Sequence, residues 1–162
     1  MTDTELTLET PAAPSADYQK TIHVKASPDE LFDALTTLPG LSGWWTRATG
    51  SGETGGELRF FFAQPEPCVM NVDEASRPRS VRWTVTECDF LPDWVGTRPT
   101  FTITAADGGA ELHFRHHGLT EELDCIDMCT RGWDHFLGSL RQYAEVGEGM
   151  PRGSVAEMAR RR

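Results

Sequence analysis

Glu87 and His116 are the two residues of this chain whose types and spacing best suit acid–base chemistry. A turn at Asp107-Gly108 sets Ala105 opposite Ala110, Ile103 opposite Leu112, Phe101 opposite Phe114 and Pro99 opposite His116. A loop centred near Asp93 sets Val85 opposite Phe101 and Glu87 opposite Pro99. Both polar groups then fall on the covered face of a sheet, with backbones about 9.6 Å apart across one strand. That separation suits a shared water or ligand, with Glu87 as base and His116 as acid. The alternative is that both sit at a cavity rim, hydrated or bonded to backbone; this reading is preferred because no third residue orients either group. A one-residue slip in register would turn both outward.

The remaining reactive side chains point to less. Cys125 and Cys129 are four apart on one helical face and could chelate a soft metal only if two further ligands converged. His116 and His117 belong to another element, so no metal is expected. The four cysteines, Cys68, Cys88, Cys125 and Cys129, read as reduced thiols packed like small apolar residues. Ser139 has no strained Gly-x-Ser-x-Gly elbow around it, and no phosphate-loop or dinucleotide fingerprint occurs, so no cofactor is expected.

The elements that must position these groups follow from periodicity. A strand is expected from Tyr18 to Ala26, then a helix opened by Ser27-Pro28-Asp29-Glu30, in which Ser27 caps and Glu30 completes a capping box. Leu31, Phe32 and Leu35 give that helix its apolar face, and Pro39-Gly40 ends it. Trp44 and Trp45 follow in a connection, where either both rings pack in the core or at least one lines a groove. Strands are expected over 57–62, 68–74, 79–88, 98–105 and 110–117, with short antiparallel connections. Leu58, Phe60, Phe62, Val81, Trp83, Val85, Phe101, Ile103, Leu112 and Phe114 share the covered face, while arginines and threonines take the wet one. The cover is a helix from about Glu121, capped by Thr120, to Val146, stopped by Gly147. Its stripe holds Cys129, Trp133, Phe136, Leu137 and Leu140. Gly132 and Gly138 inside it point to close approach of helix and sheet. The segment Phe90–Val95 is apolar enough to close one end of the core or to meet a ligand or partner.

The sum is an α+β, two-layer domain over 17–147, between a disordered tail at 1–16 and a C-terminal tail at 148–162. With 162 residues, a formal charge of −10 and 38% hydrophobic residues, the chain reads as one soluble domain that would repel nucleic acid and anionic membrane. Arg160, Arg161 and Arg162 form a solvated basic tip. No apolar run reaches membrane-spanning length and the acidic N-terminus lacks a secretory pattern, so a cytoplasmic protein is expected.

The words Ile22-His23-Val24-Lys25-Ala26-Ser27-Pro28, Gly43-Trp44-Trp45, Gly55-Gly56-Glu57-Leu58 and Gly132-Trp133 occur in this order across nearly all of 17–147. In them the chain resembles the START-like or SRPBCC superfamily, in the branch of the activator of heat-shock protein 90 ATPase. The resemblance implies a helix-grip fold: a curved antiparallel sheet of about six strands wrapped around a long C-terminal helix. It also implies a deep cavity between them for an apolar molecule, lipid- or polyketide-like. The leading expectation is non-catalytic binding of a small hydrophobic ligand by Trp44, Trp45, Phe60, Phe62, Trp83, Val85, Phe101, Phe114, His116, Trp133 and Leu137. One rival is a cyclase-like or hydrolytic enzyme using Glu87 and His116. Another is a chaperone cofactor that meets its partner through the sheet or the Phe90–Val95 loop. A homodimer through a strand edge or Phe61 is also open.

Overall fold

The computed structural model describes residues 17–62 and 65–161. Met1–Ala16 and the side chains of the three terminal arginines lie outside the described residues, and with them the readings of an N-terminal tail and a basic tip. In chain order the elements are β1 (Tyr18–Val24), α1 (Pro28–Thr36), α2 (Leu38–Trp44), β2 (Arg47–Gly50), β3 (Glu57–Phe61), β4 (Cys68–Ser76) and β5 (Ser80–Glu87). A 3-10 turn (Pro92–Trp94) leads to β6 (Arg98–Ala106), β7 (Gly109–His117), α3 (Ile126–Val146) and α4 (Val155–Arg161).

The seven strands form one antiparallel sheet in the order β1-β7-β6-β5-β4-β3-β2. From β1 at one edge the chain crosses through α1 and α2 to β2 at the other, then returns strand by strand until β7 pairs with β1. Alternation fixes which face is covered: Leu58, Phe60, Val81, Trp83, Val85, Phe101, Ile103, Leu112 and Phe114 are buried, whereas Arg82, Thr86, Thr102 and Thr104 are exposed. The apolar stripe of α3 closes that face with Cys129, Trp133, Phe136, Leu137 and Leu140. This is the helix-grip α+β architecture, with one strand more than expected.

α1 begins as its sequence requires. The Ser27 hydroxyl accepts from the Glu30 amide at 3.1 Å, and the Glu30 carboxylate accepts from the Ser27 amide at 2.9 Å. Pro39 and Gly40 do not open a loop. Thr37 caps a new short helix, and proline fits its first turn, where no amide partner is needed. β2 is the added strand.

The final helix starts at Ile126 rather than Glu121. Residues 120–125 make successive turns instead, with the Leu123 amide on the Thr120 carbonyl and the Ile126 amide on the Leu123 carbonyl, both at 3.1 Å. Gly147 ends it in the left-handed conformation, φ 86°. Gly132 and Gly138 are not sites of close approach, because a Cβ built on either meets nothing within 4 Å. The segment read as a C-terminal tail is docked. The Met150 amide reaches the Ser139 hydroxyl, the Arg152 amide reaches the Trp45 carbonyl, each at 2.6 Å, and α4 buries Glu157.

Candidate functional site

The register of β6 with β7 is the expected one, including Pro99 opposite His116. That of β5 with β6 is not. Val81, not Val85, lies opposite Phe101, and near the strand ends Val85 exchanges backbone hydrogen bonds with Gly96 and Thr97, at 2.8 and 3.0 Å. Each β5 residue therefore meets a partner four positions earlier in β6 than the loop length suggested. A bulge adds a second correction. Val69 pairs with Glu87 but Met70 with Val85, so Thr86 is the extra residue, and inward-outward alternation reverses after it. Glu87 consequently points out and is exposed, while Cys88 turns in. The expected Glu87–His116 pair does not form.

His116 is buried completely and its two ring nitrogens are both engaged. The Trp133 indole N–H donates to Nδ1 at 3.0 Å. Nδ1 is thus the acceptor, which places the imidazole proton on Nε2, and Nε2–H donates to the Thr97 hydroxyl at 2.8 Å. The Thr97 hydroxyl donates in turn to the Trp94 carbonyl at 2.6 Å. Every donor in this run has one acceptor, a neutral arrangement that a second imidazole proton would break. Burial pushes the His116 pKa down to about 3; Asp17 opposes this by a smaller amount and His117 adds to it. At neutral pH this ring is not an imidazolium able to act as an acid, and neither nitrogen is open to a ligand. It joins β7, the 90–97 loop and α3.

The aromatic residues expected to line a cavity do converge. Trp45 is their hub, with ring centroids 5.4 Å from Trp44, 4.6 Å from Phe60, 5.5 Å from Phe62, 6.0 Å from Trp83 and 5.1 Å from Trp133. Phe114 of the sheet meets Trp133 of the helix at 4.3 Å, and Phe101 meets both Phe114 and Trp83 at 4.8 and 5.1 Å. Sheet and helix rings therefore touch here, without a gap between Phe114 and Trp133. Val85 and Leu137 complete the buried set, and Phe62 is half-buried at its margin. Trp44 and Trp45 are both core residues. The Trp44 indole donates to the Ala34 carbonyl at 2.8 Å, a carbonyl in the last turn of α1 that the helix itself cannot satisfy.

One polar atom in this set stands apart. The Trp83 indole nitrogen is buried and has no hydrogen-bond partner among the described residues. Those of Trp44, Trp94 and Trp133 all have acceptors. Trp83 also lies on an aromatic path to the surface: it stacks on Trp45, Trp45 meets Phe62, and Phe62 meets Phe90 at 5.6 Å. Phe90 lines an open groove of about 180 Å³ with Pro65, Glu66 and Asp89. In the Phe90–Val95 segment, expected either to close one end of the core or to meet a ligand or partner, Trp94 is buried and stacked on Trp133 at 6.2 Å, while Val95 is exposed. Sequence reasoning missed Thr97, whose only signal was its place after a loop of unknown register.

Among the described residues no three metal-ligating side chains converge on a metal site, and no helix is long and apolar enough to cross a membrane.

Sheet, terminal helix and enclosed aromatic set define a helix-grip protein of the START-like class. Residues 25–145 match the family described as activator of Hsp90 ATPase homolog 1-like protein, and the chain belongs to that family. The solution structure of the Aha1 dimer from Colwellia psychrerythraea is 29% identical, over 82% of this chain and 98% of that one, with a TM-score of 0.72. An HSP90 activator from Plasmodium falciparum is 17% identical, over 75% and 91%, at 0.62. DynU16, from the dynemicin biosynthetic locus, is 21% identical, over 84% and 49%, at 0.68. At those identities the last two bear on the fold alone. Among curated proteins, none matches the chain.

Proposed function

We propose that this protein is a cytoplasmic, non-catalytic module that binds a small apolar molecule carrying one hydrogen-bond acceptor. The observation that carries the reading is the buried Trp83 indole N–H without an acceptor, at the inner end of the path Phe90–Phe62–Trp45. A buried donor left unpaired costs about 1–3 kcal/mol, and a guest carbonyl placed on it recovers that cost. The surface groove, at about 180 Å³, is smaller than the roughly 300–1,000 Å³ of ordinary ligand sites. It therefore serves as the entrance. The guest parts Phe62 from Trp45 and settles among Trp45, Phe60, Trp83, Val85, Phe101, Phe114, Trp133 and Leu137. Trp44 and His116, whose polar atoms are already satisfied, hold the frame.

A matched pair of probes tests this: 2-acetylnaphthalene, which carries an acceptor, and 2-ethylnaphthalene, which does not. The ketone is expected to bind about tenfold more tightly by tryptophan emission, the value of one hydrogen bond, and the preference is expected to vanish in Trp83→Phe. If neither probe changes emission or melting temperature, the binding reading falls.

A second reading, a chaperone cofactor that functions as a monomer or a homodimer, draws on the family's description and the 29% identity to the Aha1 dimer. Retention of a heat-shock protein 90 on the immobilised protein, with no response to either probe, would favour it. The exposed Glu87 and the fully bonded His116 give the enzymatic alternative no acid–base pair.

A further inference from the structure

The bulge that turns Glu87 outward has a second effect. It brings Cys88 onto the covered face directly after the pair Val69–Glu87, and so opposite Cys68, the residue before Val69. Both cysteines are buried, and each shifts the proton affinity of the other. Directly opposed residues on antiparallel strands have Cβ atoms about 4.5–5.5 Å apart, at the edge of the range a disulfide closes. The two are not equivalent. The neighbouring Cys68 thiol, with a smaller contribution from the Leu91 amide, holds the Cys88 pKa below the usual thiol value against burial and Asp89, and that amide donates to the Cys88 carbonyl at 3.2 Å. Cys68 is held up by Cys88 and by burial. The groove residues Glu66 and Asp89 flank the pair in sequence, two residues before Cys68 and one after Cys88.

We propose that Cys68 and Cys88 are a redox-active dithiol, which a small hydroperoxide converts to a cross-strand disulfide. Cys88 is the nucleophile. Its thiolate attacks the terminal peroxide oxygen, the O–O bond breaks, and the alcohol or water leaves with a proton from solvent, giving a Cys88 sulfenic acid. The Cys68 sulfur then displaces hydroxide from that sulfenic sulfur, the thiol proton completes a water molecule, and the S–S bond forms. The two sulfurs together give up two electrons and the peroxide takes them. A bond across opposed strands is strained and hence easily reduced, as a reversible modification requires.

The test is hydrogen peroxide on the full chain, followed by thiol counting after denaturation and by peptide mapping. The structure holds four free cysteines. Two are expected to disappear, with a Cys68–Cys88 linked peptide that dithiothreitol removes. In Cys68→Ser, the sulfenic acid is expected to persist on Cys88 and to be trapped by dimedone; in Cys88→Ser, neither adduct nor linkage is expected. Four thiols surviving peroxide in the wild-type chain, or a linkage between Cys125 and Cys129 instead, would overturn the proposal without any variant having to fold.

Discussion

Replacing His116 by glutamine should flatten the acid side of the stability curve. Glutamine keeps both bonds, with Oε1 accepting from Trp133 where Nδ1 did and the amide donating to Thr97, but it cannot be protonated. In the wild-type chain the folded-state pKa is about 3, whereas an unfolded histidine titrates near 6.5. The folded value is depressed, so between these limits the unfolded state binds the extra proton. Stability is then full above about pH 6.5 and is lost as pH falls toward 3. From pH 7 to pH 5 nearly all of that uptake is in the unfolded chain, and the loss is about 2 kcal/mol. This figure hardly depends on the folded value, provided it lies below about 4.

Urea unfolding of wild type and His116→Gln at each pH reads the effect as a difference, which cancels the carboxylates both proteins share. The wild type is expected to lose about 2 kcal/mol more than the variant between pH 7 and pH 5. Parallel curves would refute the reasoning, since they would mean that the folded protein accepts the proton and that the Trp133–His116–Thr97 run can rearrange.

Gly132→Ala and Gly138→Ala should each raise stability by about 1 kcal/mol, because neither Cβ meets an atom within 4 Å; a fall in melting temperature for either would restore the close-approach reading. Ser139→Ala should cost about 1–3 kcal/mol, since the buried hydroxyl bonds the Trp44 carbonyl at 2.7 Å and the Met150 amide at 2.6 Å. Hydrogen exchange should locate that loss at Met150 and along the docked C-terminal segment, and unchanged protection there would mean that Ser139 does not hold it.

Where one residue type serves a single local purpose, the fold was legible. Ser27, Pro28 and Glu30 meet in a capping box whose partners are three residues apart, so α1 was placed correctly. Asp107-Gly108 is a tight turn, with Gly108 at φ 76°, and the whole β6–β7 register follows from it. Errors began where a signal had two meanings. Pro39 and Gly40 mark a helix end as readily as a first turn, and only the Thr37 cap, at 3.1 Å from the Gly40 amide, decides between them. Gly132 and Gly138 carry a cost that packing would have explained, and the packing is absent.

The candidate site shows why correct composition can still yield the wrong chemistry. Phe60, Trp83, Phe101 and Phe114, named from alternation, are buried on the covered face, with Phe62 at its margin, because alternation depends only on neighbours along one strand. The acid–base pair depended on two quantities set elsewhere: the loop register between β5 and β6, and a bulge at Thr86 imposed by pairing with β4. That bulge exchanges what the covered face receives, a thiol for a carboxylate. A carboxylate turned inward there would have lain buried on the apolar face, with no buried cation among the described residues to pair its charge, a burial that costs several kcal/mol. Turning Glu87 out and Cys88 in removes that cost. The same displacement that argues against general acid–base catalysis thus puts two sulfurs side by side. The chemistry open to this end of the core is thiol chemistry, and the peroxide experiment reads it directly.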